Sequence, residues 1–218
     1  MNRMDVFLYF SRLHGLEKLT EEQIVEAVKS ACDFFGMPLP KIGDTTNHPD
    51  YRTMFASDDP NSYKDDWICY DIRELAALNI SSYGALTLVL THEATHRRTQ
   101  MYKFPGPMNG AYAKECISDW YMGVRAGMLG MKEISNVIEG LGAGHGCDSH
   151  PAGFIRKQFI TDGVGKGILN KHHSEANFEY FINDFKTFYY KMLPTIEKEY
   201  PKYYNIIERL RYKKSFDF

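Results

Sequence analysis

Residues 91–97 read Thr91-His92-Glu93-Ala94-Thr95-His96-Arg97, and this stretch contains the pattern H-E-x-x-H. On an α-helix, side chains four residues apart point from the same face, so His92 and His96 can bind one metal ion through two imidazole nitrogens. Glu93 is offset by one residue, which lets it act on a metal-bound water without being a ligand. The stretch therefore predicts a helix that carries a metal site and a general base.

The flanking sequence predicts that this stretch lies in the middle of its helix. Either Ser81 or Ser82 can cap the helix, and the segment Phe104-Pro105-Gly106-Pro107 ends it after about Gln100. The apolar residues on its buried side are predicted to be Leu86, Val89 and Leu90. The two histidines therefore lie on regular helix, as a shared metal ion requires.

A second helical pattern, from Asn109 to Leu129, carries two carboxylates. Glu115 lies 19 residues after His96, and Asp119 follows Glu115 by four residues, so both carboxylates point from one face of this helix. A catalytic zinc ion usually has three protein ligands and keeps one position open for water. The second helix therefore offers two carboxylates, either of which can complete a set with the two histidines.

The string Glu115-Cys116-Ile117-Ser118-Asp119 resembles the E-x-I-S-D string of thermolysin-like zinc peptidases, and its spacing from the second histidine is also similar. The resemblance implies that Glu115 is the third zinc ligand and that Asp119 accepts a hydrogen bond from a ligand histidine. Such a bond holds the second ring nitrogen, which fixes the tautomer and the orientation of the imidazole. Asp119 as the third ligand remains the main alternative.

Residues 80–160 resemble the broader group of glutamate-liganded zinc peptidases. A closer resemblance is to small bacterial neutral zinc metallopeptidases, which combine H-E-x-x-H with an E-x-x-x-D helix and a later histidine-containing segment that ends in arginine. The corresponding segment is His150-Pro151-Ala152-Gly153-Phe154-Ile155-Arg156. It also resembles the H-P-x-x-x-x-R string of integral-membrane zinc peptidases. The family resemblance implies a zincin fold and one zinc ion per chain.

The resemblance also implies a mechanism that activates water. Zinc lowers the pKa of its bound water to about 7, and Glu93 takes the proton as the water attacks the scissile carbonyl, then passes it to the leaving amine. A second donor to the oxyanion is expected. His150 is the first candidate for this catalytic role, followed by Tyr112, His145 and Arg156. For Arg156, a supporting role is favoured over direct contact with substrate.

The rest of the chain predicts an α+β fold, mostly helical, with a small antiparallel sheet. Two strands, Tyr51–Ala56 and Asp66–Tyr70, flank a turn at Asp58–Asn61, and an edge strand near Trp67–Tyr70 is expected to bind the substrate backbone by strand addition. Further helices are predicted over residues 4–15, 20–35, 133–141 and 151–162.

The chain is expected to contain one zincin-like metallopeptidase domain over residues 1–173. Residues 174–218 are expected to form a helical C-terminal extension, broken near Pro194 and Pro201, that packs on the same domain. The glycine-rich segments Gly142–Pro151 and Gly163–Gly167 match neither a dinucleotide fingerprint nor a P-loop.

The composition restricts the classes of partner and the compartment that we expect for this protein. The formal net charge of −2 gives no basis for binding nucleic acid or a membrane surface, and no run of 18 apolar residues or signal peptide is evident. The four cysteines are widely spaced and form no C-x-x-C, which favours free thiols in a reducing compartment. We therefore expect a cytoplasmic location and a peptide or protein substrate.

The sequence thus predicts a zinc-dependent peptidase, a hydrolase with a glutamate general base. One alternative is a non-catalytic binding or regulatory module on a zincin fold, although the intact Glu93 argues against it. The other alternative is a metal-dependent hydrolase that acts on a non-peptide amide. Other residues are predicted to have structural roles. Cys116 is expected in the core, and Arg97 and Arg98 are expected on a solvated face or in an ion pair. His172 and His173 are also expected to be structural, because no partner pattern accompanies them.

Overall fold

The computed structural model describes residues 20–46, 55–56, 67–71, 82–100, 110–142, 144, 146, 150–173 and 176–199. Within these residues the protein is mostly helical, and the predicted α+β class is confirmed. The helices are α1 (Glu21–Phe34), α2 (Tyr83–Gln100), α3 (Ala111–Leu129), α4 (Ile134–Gly142), α5 (Gly153–Leu169) and α6 (Phe178–Glu199). The strands are β1 (Lys41–Asp44), β2 (Phe55–Ala56) and β3 (Trp67–Tyr70).

The sheet differs from the antiparallel one that the sequence predicts. Its order is β1-β3-β2, and its principal pair, β1 with β3, runs parallel, with Lys41 opposite Trp67 and Asp44 opposite Tyr70. The two-residue β2 runs antiparallel to β3. β3 is consequently the central strand, so the expectation that it is an edge strand for substrate is also wrong. The sequence predicts extended backbone over Pro38–Ile42, which overlaps β1, but no paired strand there, because β1 is short and contains Gly43, a residue that is unfavourable in strands.

Local capping sets the starts of α1 and α2, and the cap of α2 is one of the two predicted serines. At α1, the hydroxyl of Thr20 accepts from the Gln23 amide at 3.2 Å, and the Gln23 side chain accepts from the Thr20 amide at 2.8 Å, which completes a capping box. At α2, the hydroxyl of Ser82 accepts from the amide of Ala85 at 3.2 Å. Ser82 is therefore the N-cap of the helix that carries the H-E-x-x-H stretch.

Glycines set the close packing of α3 against α5. A Cβ atom added to Gly123 or Gly127 would lie 2.2 Å from a backbone oxygen of α5, and one added to Gly163 or Gly167 would lie 2.1 Å from a backbone oxygen of α3. This packing explains why α5 continues to Leu169 instead of ending near residue 162, since tertiary contact outweighs the low helix propensity of glycine. Because the backbones of α3 and α5 approach so closely, side chains on facing turns of the two helices are in direct contact.

The described part of the C-terminal extension, α6, packs on the same core. Its buried residues include Phe181, Phe185 and Tyr189, and the ring of Phe185 lies 5.7 Å from that of Trp120 on α3. Pro194 lies inside a continuous helix, so the predicted break at this position is wrong. Leu193 and other buried residues on both sides of the proline hold the helix against the core.

The two arginines after the H-E-x-x-H stretch have different roles. Arg97 is buried, not solvated, and its guanidinium donates to the carbonyl of Pro38 at 3.3 Å. Arg98 forms the predicted ion pair, with Glu179 at the start of α6, and its guanidinium lies 4.8 Å from the ring centre of Phe178. The end of α2 is thereby attached both to the segment after α1 and to α6.

Several predicted features lie outside the described residues. They are the helix at 4–15, the turn at Asp58–Asn61, His145, Cys147 and the region after Glu199. Of the other cysteines, Cys32, Cys69 and Cys116 are buried free thiols, as predicted. Among the helices that the structure describes, none has the length and apolar character needed to cross a membrane.

Candidate metal centre

Helices α2 and α3 bring three predicted ligands together. His92 and His96 are four residues apart on α2, and their Nε2 atoms lie 3.1 Å from each other. Glu115 on α3 faces both rings: its Oε2 lies 3.3 Å from His92 Nε2, and its Oε1 lies 3.3 Å from His96 Nε2. These three side chains, called the triad below, form a group whose donor atoms could hold a metal ion.

The separation of the two imidazole nitrogens fits a tetrahedral metal site. Zinc lies about 2.0–2.2 Å from imidazole nitrogen and carboxylate oxygen, which puts two tetrahedral ligand atoms about 3.3–3.5 Å apart. The two Nε2 atoms, 3.1 Å apart, are close to that value, and each of them lies 3.3 Å from a different oxygen of Glu115. Glu115 Oε2 is also buried, and no donor among the described residues is aligned to hydrogen-bond with it. Two imidazole nitrogens and a carboxylate that converge in this way could hold a cation between them.

Asp119 holds His92 from the opposite side of its ring. The Oδ1 atom of Asp119 lies 3.0 Å from His92 Nδ1, so the Nε2 atom of the same ring is the one that faces Glu115. Asp119 therefore contacts His92 and is not part of the group that could hold a metal ion. This arrangement of carboxylate, histidine and metal site orients the imidazole and makes it a stronger donor.

Arg156 on α5 completes a chain of contacts that begins at the triad. Its Nε and one terminal nitrogen donate to the two oxygens of Asp119, both at 2.8 Å. Asp119 is fully buried, and the bidentate geometry is the strong form of this ion pair. The guanidinium of Arg156 thus binds Asp119 through two hydrogen bonds, which agrees with the supporting role favoured from the sequence.

The charged groups around the triad stabilise each other. Burial acts to raise the pKa of Asp119, but Arg156 and His92 hold that pKa below its usual range. Burial likewise acts to raise the pKa of Glu115, and the imidazoles of His92 and His96 hold it far below its usual range. Burial acts to lower the pKa of His92, yet the carboxylates of Asp119 and Glu115 outweigh it and raise that pKa to about 10. Both carboxylates are therefore negatively charged at neutral pH.

Glu93 is a buried residue of α2. It follows His92 by one residue and therefore lies about 100° around the helix from it. Burial of Cys69 on β3 and the negative charge of Glu93 together raise the pKa of Cys69 to about 11. The carboxylate of Glu93 therefore acts electrostatically on the central strand. No spacing in the sequence links residues 69 and 93, because this effect depends on how the sheet and α2 are arranged in space.

The predicted oxyanion contacts have different positions. His150 is half exposed, and its Nε2 lies 3.6 Å from Glu115 Oε2. It is not one of the three residues in the group that could hold a metal ion. Tyr112 lies one helical turn before Glu115 and is buried among core residues. Their roles toward an oxyanion stay predictions, as does that of His145, which lies outside the described residues.

Comparisons with protein-family models, curated proteins and solved structures found no match to this chain. The functional conclusion therefore depends on the residues of the site themselves.

Proposed function

We propose that this protein is a zinc-dependent peptidase. The observation that carries the proposal is the convergence of two imidazoles and one carboxylate at separations of 3.1–3.3 Å, with a buried glutamate next in sequence to the first histidine. Two histidines and a glutamate are the ligand set of a catalytic zinc that keeps one position for water, whereas structural zinc sites usually fill all four positions with protein ligands.

Each supporting residue has a defined part in the proposed reaction. His92, His96 and Glu115 would hold a zinc ion, which would supply a Lewis acid for the scissile carbonyl and for water. Glu93 accepts the proton of the attacking water and then donates it to the leaving amine. His150, half exposed beside Glu115, donates a hydrogen bond to the developing oxyanion. Asp119, itself fixed by Arg156, keeps the Nε2 of His92 directed to the site.

Replacing Glu93 with glutamine tests the proposal, because it removes the base and keeps the shape of the side chain. We expect the rate of peptide cleavage to fall by a factor of about 10² to 10⁴ or more, while zinc content is unchanged. Cleavage of a peptide library by the zinc-loaded protein, followed by mass spectrometry, is the measurement. Glu139→Gln, which alters an exposed glutamate on α4, is the matched control and should retain full activity.

Two results would contradict the proposal. Equal cleavage by the wild type and the Glu93→Gln variant would remove Glu93 from the mechanism. A zinc-loaded wild type that cleaves no peptide would exclude peptidase activity. Amide substrates other than peptides, tested with the same pair of proteins, would then separate a hydrolase of non-peptide amides from a non-catalytic module.

A further inference from the structure

A cavity of about 600 Å³ lies near the C-terminal end of α3, away from the triad. Arg125, which lines it, follows Glu115 by ten residues on α3, a distance of about 15 Å along the helix. The side chains that matter for its chemistry are Phe34, Met128, Arg125, Lys171, His172 and His173. We call it the cationic cavity. Its volume lies in the range of sites for small molecules.

Arg125 carries a positive charge that no carboxylate contacts directly among the described residues. One terminal nitrogen of its guanidinium donates to the hydroxyl and the carbonyl of Ser30, at 2.9 and 3.2 Å, and both are neutral groups. The guanidinium also lies 4.8 Å from the ring centre of Phe34. Its Nε atom is buried and has no hydrogen-bond partner within the described residues. The carboxylate of Asp33, which also lines the cavity, offsets part of this charge, and a bound anion would stabilise it further.

The remaining charges of the cavity add to that of Arg125. Lys171 and His172 are exposed on the turn between α5 and α6 and line the cavity. Asp33 is the single carboxylate among the described lining residues. Arg125 and Lys171 are thus two permanent cations against one carboxylate, and the histidines provide further N–H donors. The cavity therefore favours an anion with several acceptor oxygens.

We propose that the cationic cavity binds a phosphate monoester that has an apolar group. A phosphate monoester carries about 1.5 to 2 negative charges at neutral pH and three acceptor oxygens, which suits cations and N–H donors that converge from two elements. The volume of about 600 Å³ exceeds what a bare phosphate fills, and Phe34 and Met128 provide apolar wall for the rest of the molecule. This binding is independent of the hydrolysis proposed at the triad.

Calorimetric titration of the zinc-loaded protein with phenyl phosphate at constant ionic strength tests this proposal. We expect one saturable site per chain, with an affinity for phenyl phosphate at least about tenfold above that for inorganic phosphate, because only the ester uses the apolar wall. The double variant Lys171→Gln/His172→Gln should bind phenyl phosphate at least about tenfold more weakly. Lys157→Gln, which removes an exposed lysine elsewhere on α5, should bind as the wild type does.

The double variant also separates this cavity from the triad. It keeps His92, His96 and Glu115, so phenyl phosphate that binds at zinc would bind to it as strongly as to the wild type. Undiminished binding by the double variant, or no saturable binding by the wild type, would overturn the proposal. Equal affinities for phenyl phosphate and inorganic phosphate would overturn the part of it that concerns the apolar group.

Discussion

Replacing Gly163 with alanine is expected to lower the free energy of unfolding by about 3 kcal/mol or more. The new Cβ would lie 2.1 Å from the carbonyl oxygen of Trp120 on α3, and real Cβ atoms do not approach other atoms within 3.0 Å. The obstacle is backbone, which cannot rotate away, so α5 has to move from α3 along their whole contact. Urea denaturation of the two proteins, without metal, gives the difference directly.

Gly165→Ala is the matched control for this prediction. Gly165 lies two residues further along α5, is exposed, and has no atom within 4 Å of a Cβ placed on it. Because alanine is favoured over glycine in a helix by about 1 kcal/mol, this variant should be as stable as the wild type or more stable. Equal denaturation midpoints for Gly163→Ala and the wild type would show that α3 and α5 do not pack through their backbones.

Replacing Asp119 with asparagine is expected to destabilise the metal-free protein by about 3–5 kcal/mol and to weaken zinc binding by a factor of about 10 to 100. The stability falls because Arg156 keeps its charge in a buried position without a carboxylate. The zinc affinity falls because His92 loses the charged acceptor that directs its ring. Denaturation in a chelator and zinc competition with a chelating dye measure the two effects separately.

Asp162→Asn on α5 is the control for this substitution. Asp162 accepts a hydrogen bond from the indole of Trp120 at 2.8 Å, and the asparagine oxygen can accept the same bond. We expect a loss of less than about 1 kcal/mol and unchanged zinc affinity. If Asp119→Asn changes stability and zinc affinity no more than Asp162→Asn does, the chain from Arg156 through Asp119 to His92 has no supporting role.

The pH dependence of stability follows from the ion pair between Asp119 and Arg156. Arg156 and His92 keep the pKa of Asp119 in the folded protein below its unfolded value of about 4. A carboxyl group with a lowered folded pKa stabilises the protein fully above the unfolded pKa, and this contribution is lost as the pH falls through the folded pKa. The contribution of Asp119 is therefore complete at neutral pH and disappears only in acid, and Asp119→Asn should lack this acid transition.

The site was more predictable from the sequence than the sheet was. The positions of His92, His96, Glu115 and Asp119 follow from helical spacing, since residues four apart on each helix must share a face. The pairing of β1 with β3 depends instead on how segments distant in the chain meet, and Lys41–Asp44 is too short to show a strand pattern. For the same reason, spacing in the sequence does not predict the electrostatic effect of Glu93 on Cys69.

Glycines on α5 show another limit of local sequence patterns. Gly163 and Gly167 look like helix breakers when neighbours along the chain alone are considered. Their effect reverses once α3 lies against them, because a missing side chain is what lets two backbones approach. Arg156 was linked to the site only loosely from the sequence, since its contact with Asp119 requires that approach.

The zinc content of the purified protein is the most direct test that His92, His96 and Glu115 hold one metal ion. After zinc loading and dialysis into metal-free buffer, we predict one zinc per chain in the wild type and in His172→Ala, which alters an exposed histidine outside the triad. The variants His96→Ala and Glu115→Ala should lose stoichiometric zinc. A wild type without stoichiometric zinc, or a triad variant that retains it fully, would contradict the account.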